Sequence, residues 1–182
     1  MRSRRARFCP LCAAPLALRE VGGRQRPRCP ECRFVLYENP ASAAAGLVLD
    51  PRGAVLLVRR AIEPFKGQWA IPAGYQEADE DPTGAVVREV LEETGIEVQV
   101  ERLVDLIHVP DDARKPANVA VFLCRSLGGA PTPGHDAAEA AWFDLDDLPL
   151  DGAQIKNARS FAEASVQSVQ RLIFPSHGIS AV

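Results

Sequence analysis

The sequence predicts an α/β protein with a mixed sheet, preceded by a small cysteine-rich module. Extended apolar stretches surround one central helical stretch, and a second helical periodicity lies near the end of the chain. The predicted strands are 41–49, 54–60, 98–109, 118–125 and 140–145, and the last predicted helix is 154–173. Strands around a central helix, followed by a final helix, suit an α/β/α sandwich. The length of 182 residues fits one ordinary domain plus a small module.

The central helix is predicted within the stretch Gly74–Ile96. Pro82 suits the first helical turn, because its missing N–H would have no partner there. Asp81 or Asp79 supplies an N-terminal cap, and Gly95 is a natural C-terminal stop. The predicted apolar stripe consists of Ala85, Val86, Val90 and Leu91.

Acidic residues recur on this helix at a spacing that brings their carboxylates together. Glu89 and Glu92 are three apart, and Glu89 and Glu93 are four apart, so all three share one face. We expect this face to lie opposite the apolar stripe. Because like charges at this spacing repel, a cation should offset them. Arg88 is adjacent, and Mg²⁺ takes oxygen ligands of this kind; an ordinary solvated acidic face is the alternative.

The same stretch matches a long motif. The pattern G-x5-E-x7-R-E-U-x-E-E-x-G-U, in which U is aliphatic, is filled without mismatch by Gly74, Glu80, Arg88, Glu89, Val90, Glu92, Glu93, Gly95 and Ile96. Nine specified positions at fixed spacing form a highly specific signal. The chain therefore resembles the Nudix hydrolases, whose signature this motif is. The resemblance implies a Nudix-type α/β/α sandwich with a mixed sheet and hydrolysis of a diphosphate bond that depends on Mg²⁺ or Mn²⁺.

The resemblance also implies roles for individual residues. Glu89 and Glu93 are the firmest expected metal ligands, with Glu92 and Glu80 close behind. Arg88 is expected to orient Glu80 or Glu92 through a bidentate pair.

Residues outside the helix complete the predicted site. Gly74 would allow the backbone to approach the ion closely. Many Nudix enzymes use a further acid from a later loop, for which Glu139 is the first candidate and Asp136 the second, with plain solvation as the alternative. Trp69 and Tyr75 are candidates to line a nucleobase or ribose site, with a core role as the alternative.

Four cysteines near the N-terminus form two C-x2-C pairs. They are Cys9, Cys12, Cys29 and Cys32. This spacing is typical of a structural Zn²⁺ site with four thiolates, and two disulfides are the alternative. The pattern is similar to the zinc ribbon that precedes the Nudix domain in NADH pyrophosphatases. We expect a ribbon at 1–38, which acts as a folding clip or dimer support, and a Nudix domain at 39–175.

Charge is distributed unevenly along the chain. Residues 1–33 contain nine arginines and two glutamates, a balance of +7, whereas 34–182 contain twelve basic and twenty-two acidic residues, a balance of −10. Despite the arginines, nucleic-acid binding is expected to be weak, because aromatic residues are sparse among them. No long apolar run predicts a membrane span, and no hydrophobic signal segment follows the basic start. We expect a cytoplasmic protein with a small nucleotide substrate, and a homodimer is an assembly that the ribbon would support.

The substrate is the least constrained part of the prediction. NADH pyrophosphatases carry an SQPWPFP segment after the Nudix box, and residues 109–116 of this chain depart from it. Hydrolysis of ADP-ribose or FAD, giving AMP and a phosphorylated product, is therefore favoured over hydrolysis of NADH or NAD-capped RNA. A regulator without activity that binds nucleotides or RNA is the other alternative. The complete set of Nudix-box glutamates favours an enzyme.

Overall fold

The structure is a computed structural model that describes residues 6–63, 66–109, 116–134, 136–145 and 147–149. The chain divides into two compact units, Met1–Asn39 and Pro40–Val182. The helix predicted at 154–173 lies outside the described residues. In the described part of the chain, no helix is long and apolar enough to cross a membrane.

The first unit is a β-hairpin with a cysteine knuckle at each end. Strand β1 (Ala17–Val21) pairs antiparallel with β2 (Arg24–Arg28), so a hairpin joins the two cysteine pairs. Gly22 and Gly23 form the turn, with φ values of 60° and 72°. Two successive positive φ values are typical of a type I′ turn, which glycine adopts without steric penalty.

The second unit is built on a seven-stranded mixed sheet. Its strands are β3 (Ala41–Leu49), β4 (Val55–Arg60), β5 (Trp69–Ala70), β6 (Ala73–Tyr75), β7 (Val98–Val109), β8 (Ala117–Ser126) and β9 (Ala137–Phe143). The order is β5-β4-β3-β8-β7, with β6 also pairing with β3 and β9 with β4. Strands β3 and β8 run parallel, and the other neighbours are antiparallel. The predicted α/β fold with a mixed sheet is confirmed; the short strands β5 and β6 were not predicted.

Helix α1 (Pro82–Thr94) begins and ends where the local sequence predicts. The Asp81 carboxylate accepts hydrogen bonds from the backbone N–H groups of Thr83 and Gly84, at 2.9 and 2.8 Å. These donors have no partner inside the helix, so the cap satisfies them. Gly95 ends the helix with φ 69°, a left-handed conformation that glycine adopts readily.

Helix α1 packs on one face of the sheet through Ala85, Val86 and Val90, which are all fully buried. A Cβ atom at Gly46 of β3 would lie 2.7 Å from Val90 Cγ2, so this glycine permits the close approach of helix and strand. Leu91 does not belong to the buried stripe as predicted, because 46% of its surface is exposed.

Glu93 is the charged residue that α1 buries, with only 5% of its surface exposed. The expectation that Glu89 and Glu93 lie opposite the apolar stripe is therefore wrong. Three residues of an α-helix turn through about 300°, so these glutamates lie only about 60° from Val86 and Val90. The acidic face and the apolar stripe are neighbours, and both face the strands.

Candidate active site

The backbone of β6 lies directly against the acidic face of α1. The N–H of Ala73 donates a hydrogen bond of 3.0 Å to Glu93 Oε2. A Cβ atom at Gly74 would lie closer than 3.0 Å to the Glu89 carboxylate, which real Cβ atoms do not approach. Gly74 is thus required for contact between backbone and carboxylate.

Arg88 holds the surrounding carboxylates in a single network. Its guanidinium donates to both oxygens of Glu80, at 2.6 and 3.1 Å, which is the predicted bidentate arrangement. It also donates to Glu89 at 2.7 Å, to Glu92 at 3.1 Å and to the carbonyl of Tyr75 at 3.1 Å. Arg88 therefore links the helix to the loop before it and to β6.

Glu80 reaches this network from the loop that precedes α1. Its carboxylate also accepts a hydrogen bond of 2.9 Å from the backbone N–H of Glu77. The hydrogen bond from Arg88 is the largest cause that lowers the pKa of Glu80, and the Glu77 N–H adds to it. Glu80 is thus held in its charged form.

Glu89 and Glu93 are perturbed in the opposite direction. Burial is the main cause that raises the pKa of Glu89, against the opposing effect of Arg88. Burial also raises the pKa of Glu93 to about 8, and the charges of Asp136 and Glu89 add to this rise. A buried carboxylate and a half-buried one beside further acids are a state that a cation would relieve.

Asp136 is brought to this cluster by the loop between β8 and β9. The loop crosses the C-terminal end of α1, where the N–H groups of Thr132 and Gly134 donate to the carbonyls of Thr94 and Glu93, at 2.8 and 3.2 Å. Because a Cβ atom at Gly134 would lie 2.5 Å from the carbonyl oxygen of Glu92, this close crossing requires a glycine. The sequence identified a loop here but not its contact with the helix.

Glu139, the first-choice acid of the sequence prediction, lies elsewhere. On β9 it is the direct partner of Arg59 on β4, and the two side chains form an ion pair. Side chains alternate between the two faces of a strand, and Leu56 and Trp142 pack on the α1 side. Glu139 is three residues from Trp142 along β9, and Arg59 is three residues from Leu56 along β4. Because an odd separation reverses the face, Glu139 and Arg59 lie on the face of the sheet away from α1. The charge of Asp136, the second candidate, raises the pKa of both Glu89 and Glu93.

The candidate aromatic residues lie on the sheet face away from α1. The rings of Trp69 and Phe143 meet edge to face at 4.9 Å, and both pack against the apolar cluster of that face, as does Tyr75. Trp69 and Tyr75 are half-buried, so the structure gives them a packing role. The backbone carbonyl of Tyr75 contacts the site through Arg88, which the sequence did not predict.

The donor set around α1 fits a hard divalent cation. Carboxylates of Glu80, Glu89 and Glu92 meet around Arg88, and the buried carboxylate of Glu93 lies within electrostatic reach of Glu89. Oxygen ligands of this charge suit Mg²⁺ or Mn²⁺. Within the described residues, only the four cysteines bring three or more metal-ligating atoms within 4.8 Å of one another. The carboxylates of Glu89 and Glu92 instead point to the same nitrogen of Arg88.

The four cysteines of the first unit fit a zinc ribbon. Their sulfur atoms lie within 4.8 Å of one another, and the Cys9–Cys32 and Cys12–Cys29 sulfur distances are both 3.5 Å. A tetrahedral site with Zn–S bonds of about 2.3 Å places its sulfurs about 3.8 Å apart. All four cysteines are free thiols, so the structure does not contain the alternative disulfides.

Comparison with known proteins assigns the second unit to a family. The family model described as "NUDIX domain" matches residues 39–164, which is more than half of the chain. The protein belongs to the Nudix family. The Nudix-type diphosphatase activity predicted from the sequence is confirmed at the level of enzyme class.

Relatives of the Nudix protein differ in substrate. This chain is 40% identical over 118 residues to an ADP-ribose pyrophosphatase of Methanocaldococcus jannaschii, and the match covers 64% of this chain and 69% of that protein. It is 35% identical over 145 residues to the NAD-capped RNA hydrolase NudC of Chromobacterium violaceum, covering 79% of this chain. The chain spans only about half of that hydrolase, 52%. A NUDIX hydrolase structure from Nitrosomonas europaea superposes with a TM-score of 0.80 at 25% identity, covering 94% of this chain and 93% of that one.

Proposed function

We propose that this Nudix enzyme hydrolyses the diphosphate bond of a nucleoside diphosphate linked to a second group, with Mg²⁺ or Mn²⁺ as cofactor. ADP-ribose and FAD are the favoured substrates, and the products are AMP and a phosphorylated second group. The observation that carries the proposal is the network of Glu80, Glu89 and Glu92 around Arg88, with buried Glu93 beside it.

Four glutamates would hold the cation, namely Glu80, Glu89, Glu92 and Glu93. When bound, the cation supplies charge neutralisation on the phosphate oxygens and a more acidic water. The pKa of Glu93 is about 8, so its carboxyl group is protonated at neutral pH in the absence of a cation. Metal binding requires Glu93 to release this proton, because the ligand is the carboxylate. The Ala73 N–H then fixes one oxygen of Glu93, which leaves the other oxygen for the ion.

Arg88 acts in this proposal as a positioning residue. It holds Glu80 through two hydrogen bonds, and it shares one nitrogen between Glu89 and Glu92. The cation would take over part of the charge that Arg88 now offsets on these two helical glutamates. The pair with Glu80, which uses the other guanidinium nitrogens, is compatible with a bound ion.

Asp136 is the proposed later-loop acid, as a base for the attacking water or an additional ligand. Its charge raises the pKa of Glu93 and Glu89, so it lies within electrostatic reach of both proposed ligands. Glu139 was the first choice from the sequence, but its ion pair with Arg59 on the other face of the sheet does not support this role.

ADP-ribose is placed first because the archaeal relative is named for that activity and shares 40% identity. NAD-capped RNA is the alternative, since the Chromobacterium violaceum protein is named for it and its match covers 79% of this chain. This chain spans only about half of that relative, 52%. The substrate specificity of the whole protein is therefore a proposal.

A turnover screen tests the proposal. Purified protein is incubated with ADP-ribose, FAD, NADH or NAD-capped RNA, with and without Mg²⁺ or Mn²⁺. The release of AMP is measured for the first three, and the release of NMN for the capped RNA, whose adenosine stays attached to the RNA chain. We expect cation-dependent AMP release, fastest with ADP-ribose or FAD. The Glu93→Gln variant serves as the control for contaminating hydrolases. Faster release from NAD-capped RNA would refute the substrate assignment, and equal rates without divalent cation would refute the metal site.

The first unit is proposed to hold one structural Zn²⁺ on Cys9, Cys12, Cys29 and Cys32. Four thiolates leave no open position for catalysis, so the ion would stabilise the fold. Cysteines stay reduced in the cytoplasm, which is the compartment proposed for this protein. A homodimer stays a proposal, to be checked by light scattering.

A further inference from the structure

Four of the six strand residues on one side of the ribbon hairpin are arginines, and the other two are Ala17 and Val21. Ala17 is opposite Arg28 and Arg19 is opposite Arg26, and alternate residues of a strand point to the same side. Arg19, Arg24, Arg26 and Arg28 therefore share one side of the hairpin, which we call the arginine face. Leu18, Glu20, Gln25 and Pro27 occupy the other side.

The arginine face contains a pocket. Its volume is about 230 Å³, and Ala17, Arg19, Arg28, Cys29, Pro30 and Arg33 line it. In the part of the chain that the structure describes, Arg19, Arg28 and Arg33 form no ion pair with a carboxylate. Three guanidinium groups around one pocket repel each other, so the pocket favours an anion.

Arg33, which lines the pocket, has an unusual backbone conformation. It follows the second cysteine of its knuckle, as Ala13 does in the first knuckle, and both have positive φ values of 64° and 60°. Side chains other than glycine, asparagine or aspartate rarely adopt this conformation, and it costs free energy. Ala13 has this conformation without a charge, so the conformation belongs to the knuckle and not to the cation. Arg33 contributes to the pocket through its side chain, which lines it, and glycine would suit the backbone at this position.

The shape of the charge distribution indicates the class of anion. Alternate residues of a strand are about 6.6 Å apart, so Arg24, Arg26 and Arg28 form a row of cations rather than a single point. The Arg26 guanidinium lies 4.7 Å from the centre of the Tyr37 ring, and Tyr37 is 54% exposed. A basic row with an exposed aromatic ring against it is typical of surfaces that bind single-stranded nucleic acid. The sequence showed the arginines but not that they share one side with Tyr37.

We propose that the arginine face, with the pocket of Arg19, Arg28 and Arg33, binds the phosphate backbone of a single-stranded nucleic acid. A competing role is to neutralise a zinc centre, since Zn²⁺ with four thiolates has a net charge of −2. That charge is too small to account for the whole cluster. Residues 1–33 carry +7, from nine arginines and two glutamates, and would keep +5.

The salt dependence of binding tests the proposal. Binding of a fluorescent oligoadenylate of about 12 nucleotides, near the length that such surfaces cover, is followed by anisotropy. KCl is varied from about 50 to about 200 mM without added divalent cation. Each arginine that contacts a phosphate of a single strand contributes a slope of about −0.7 to log K against log salt. A triple variant with Arg19→Gln, Arg28→Gln and Arg33→Gln should have a slope that is about 2 units shallower.

Two further variants distinguish binding from structure. Arg52→Gln removes an exposed arginine of the second unit and should leave affinity and slope unchanged. Arg33→Gly removes one pocket cation but suits the positive φ. It should weaken the slope by about 0.7 and leave zinc content and resistance to a chelator equal or higher.

The proposal is overturned if the full-length protein does not bind the oligonucleotide at about 50 mM KCl. It is also overturned if Arg33→Gly and the triple variant bind like the unchanged protein. Loss of zinc from the triple variant with full binding by Arg33→Gly would instead show that the arginines serve the zinc centre.

Discussion

Replacing Glu93 by glutamine tests whether α1 buries a carboxylate that needs a cation. Glutamine keeps the size of the side chain and resembles its protonated form. Burial raises the pKa of Glu93 from 4.5 to about 8 in the folded protein. Without a cation, the folded state therefore holds a proton on Glu93 between these pH values, whereas the unfolded chain releases it. The stability of the folded protein is full below pH 4.5 and falls as the pH rises toward 8.

The size of this effect follows from the shift. One pKa unit corresponds to about 1.4 kcal/mol, so a shift of this size corresponds to an upper limit of about 5 kcal/mol. The Glu93→Gln variant lacks this penalty. Near pH 5 its free energy of unfolding should match that of the unchanged protein, and near pH 8 it should be higher by a few kcal/mol.

Urea unfolding at a series of pH values, without divalent cation, measures the difference. Glu92→Gln is the matched control, because it makes the same chemical change one position away on a side chain that is 45% exposed. The control should keep the pH dependence of the unchanged protein. If stability without cation does not fall between pH 5 and 8, or falls equally in Glu93→Gln, the buried carboxylate is not the source of the effect.

Added Mg²⁺ should make the unchanged protein more stable than the Glu93→Gln variant. At pH 8 the cation should stabilise the unchanged protein, because it binds the folded state and favours the charged form of Glu93. It should stabilise Glu93→Gln much less, and turnover of ADP-ribose should fall by at least about a hundredfold. Equal stabilisation by Mg²⁺, or near-normal turnover in a folded Glu93→Gln protein, would refute the assignment of Glu93 as a ligand.

Three other predictions concern single contacts. Gly74→Ala places a methyl group against the Glu89 carboxylate, so the Mg²⁺ concentration for half-maximal activity should rise at least about tenfold; an unchanged Mg²⁺ titration would contradict it. Asp136→Asn should lower turnover by about 10- to 100-fold, whereas Glu139→Gln should change it less than about threefold, and the reverse result would restore the sequence-based choice. Cys29→Ser should reduce zinc from about one ion per chain to near zero in elemental analysis, and retention of a full ion would disprove the four-thiolate site.

The sequence predicted the structure best where the determinants are local. Helix α1 has the boundaries expected from Asp81, Pro82 and Gly95, because capping groups act within a few residues of the helix end. Strand β7 covers the predicted residues 98–109, although only some of its side chains are buried. The bidentate pair between Arg88 and Glu80 was also expected, since the Nudix box specifies both positions.

The misses concern contacts between segments that are distant in sequence. Glu139 seemed suitable because it lies shortly before Trp142, but the register of β9 against β4 turns it toward Arg59. The position of Asp136 depends on a loop that crosses the end of α1, and no periodicity encodes that crossing. Burial of Glu93 was missed for a related reason. The strands cover part of the helix surface beyond its apolar residues, and Glu93 lies in that part.

Charge that is not neutralised locally is common to both units, with opposite signs. In the second unit, the cluster on α1 contains more carboxylates than Arg88 offsets, and burial raises the pKa of Glu93 to about 8. In the first unit, Arg33 adopts a strained backbone conformation and adds a third cation to a pocket without carboxylate partners among the described residues. Each arrangement lowers the stability of the isolated chain, and a ligand of the opposite charge removes that cost. A divalent cation is that ligand for α1, and a row of phosphates is that ligand for the arginine face.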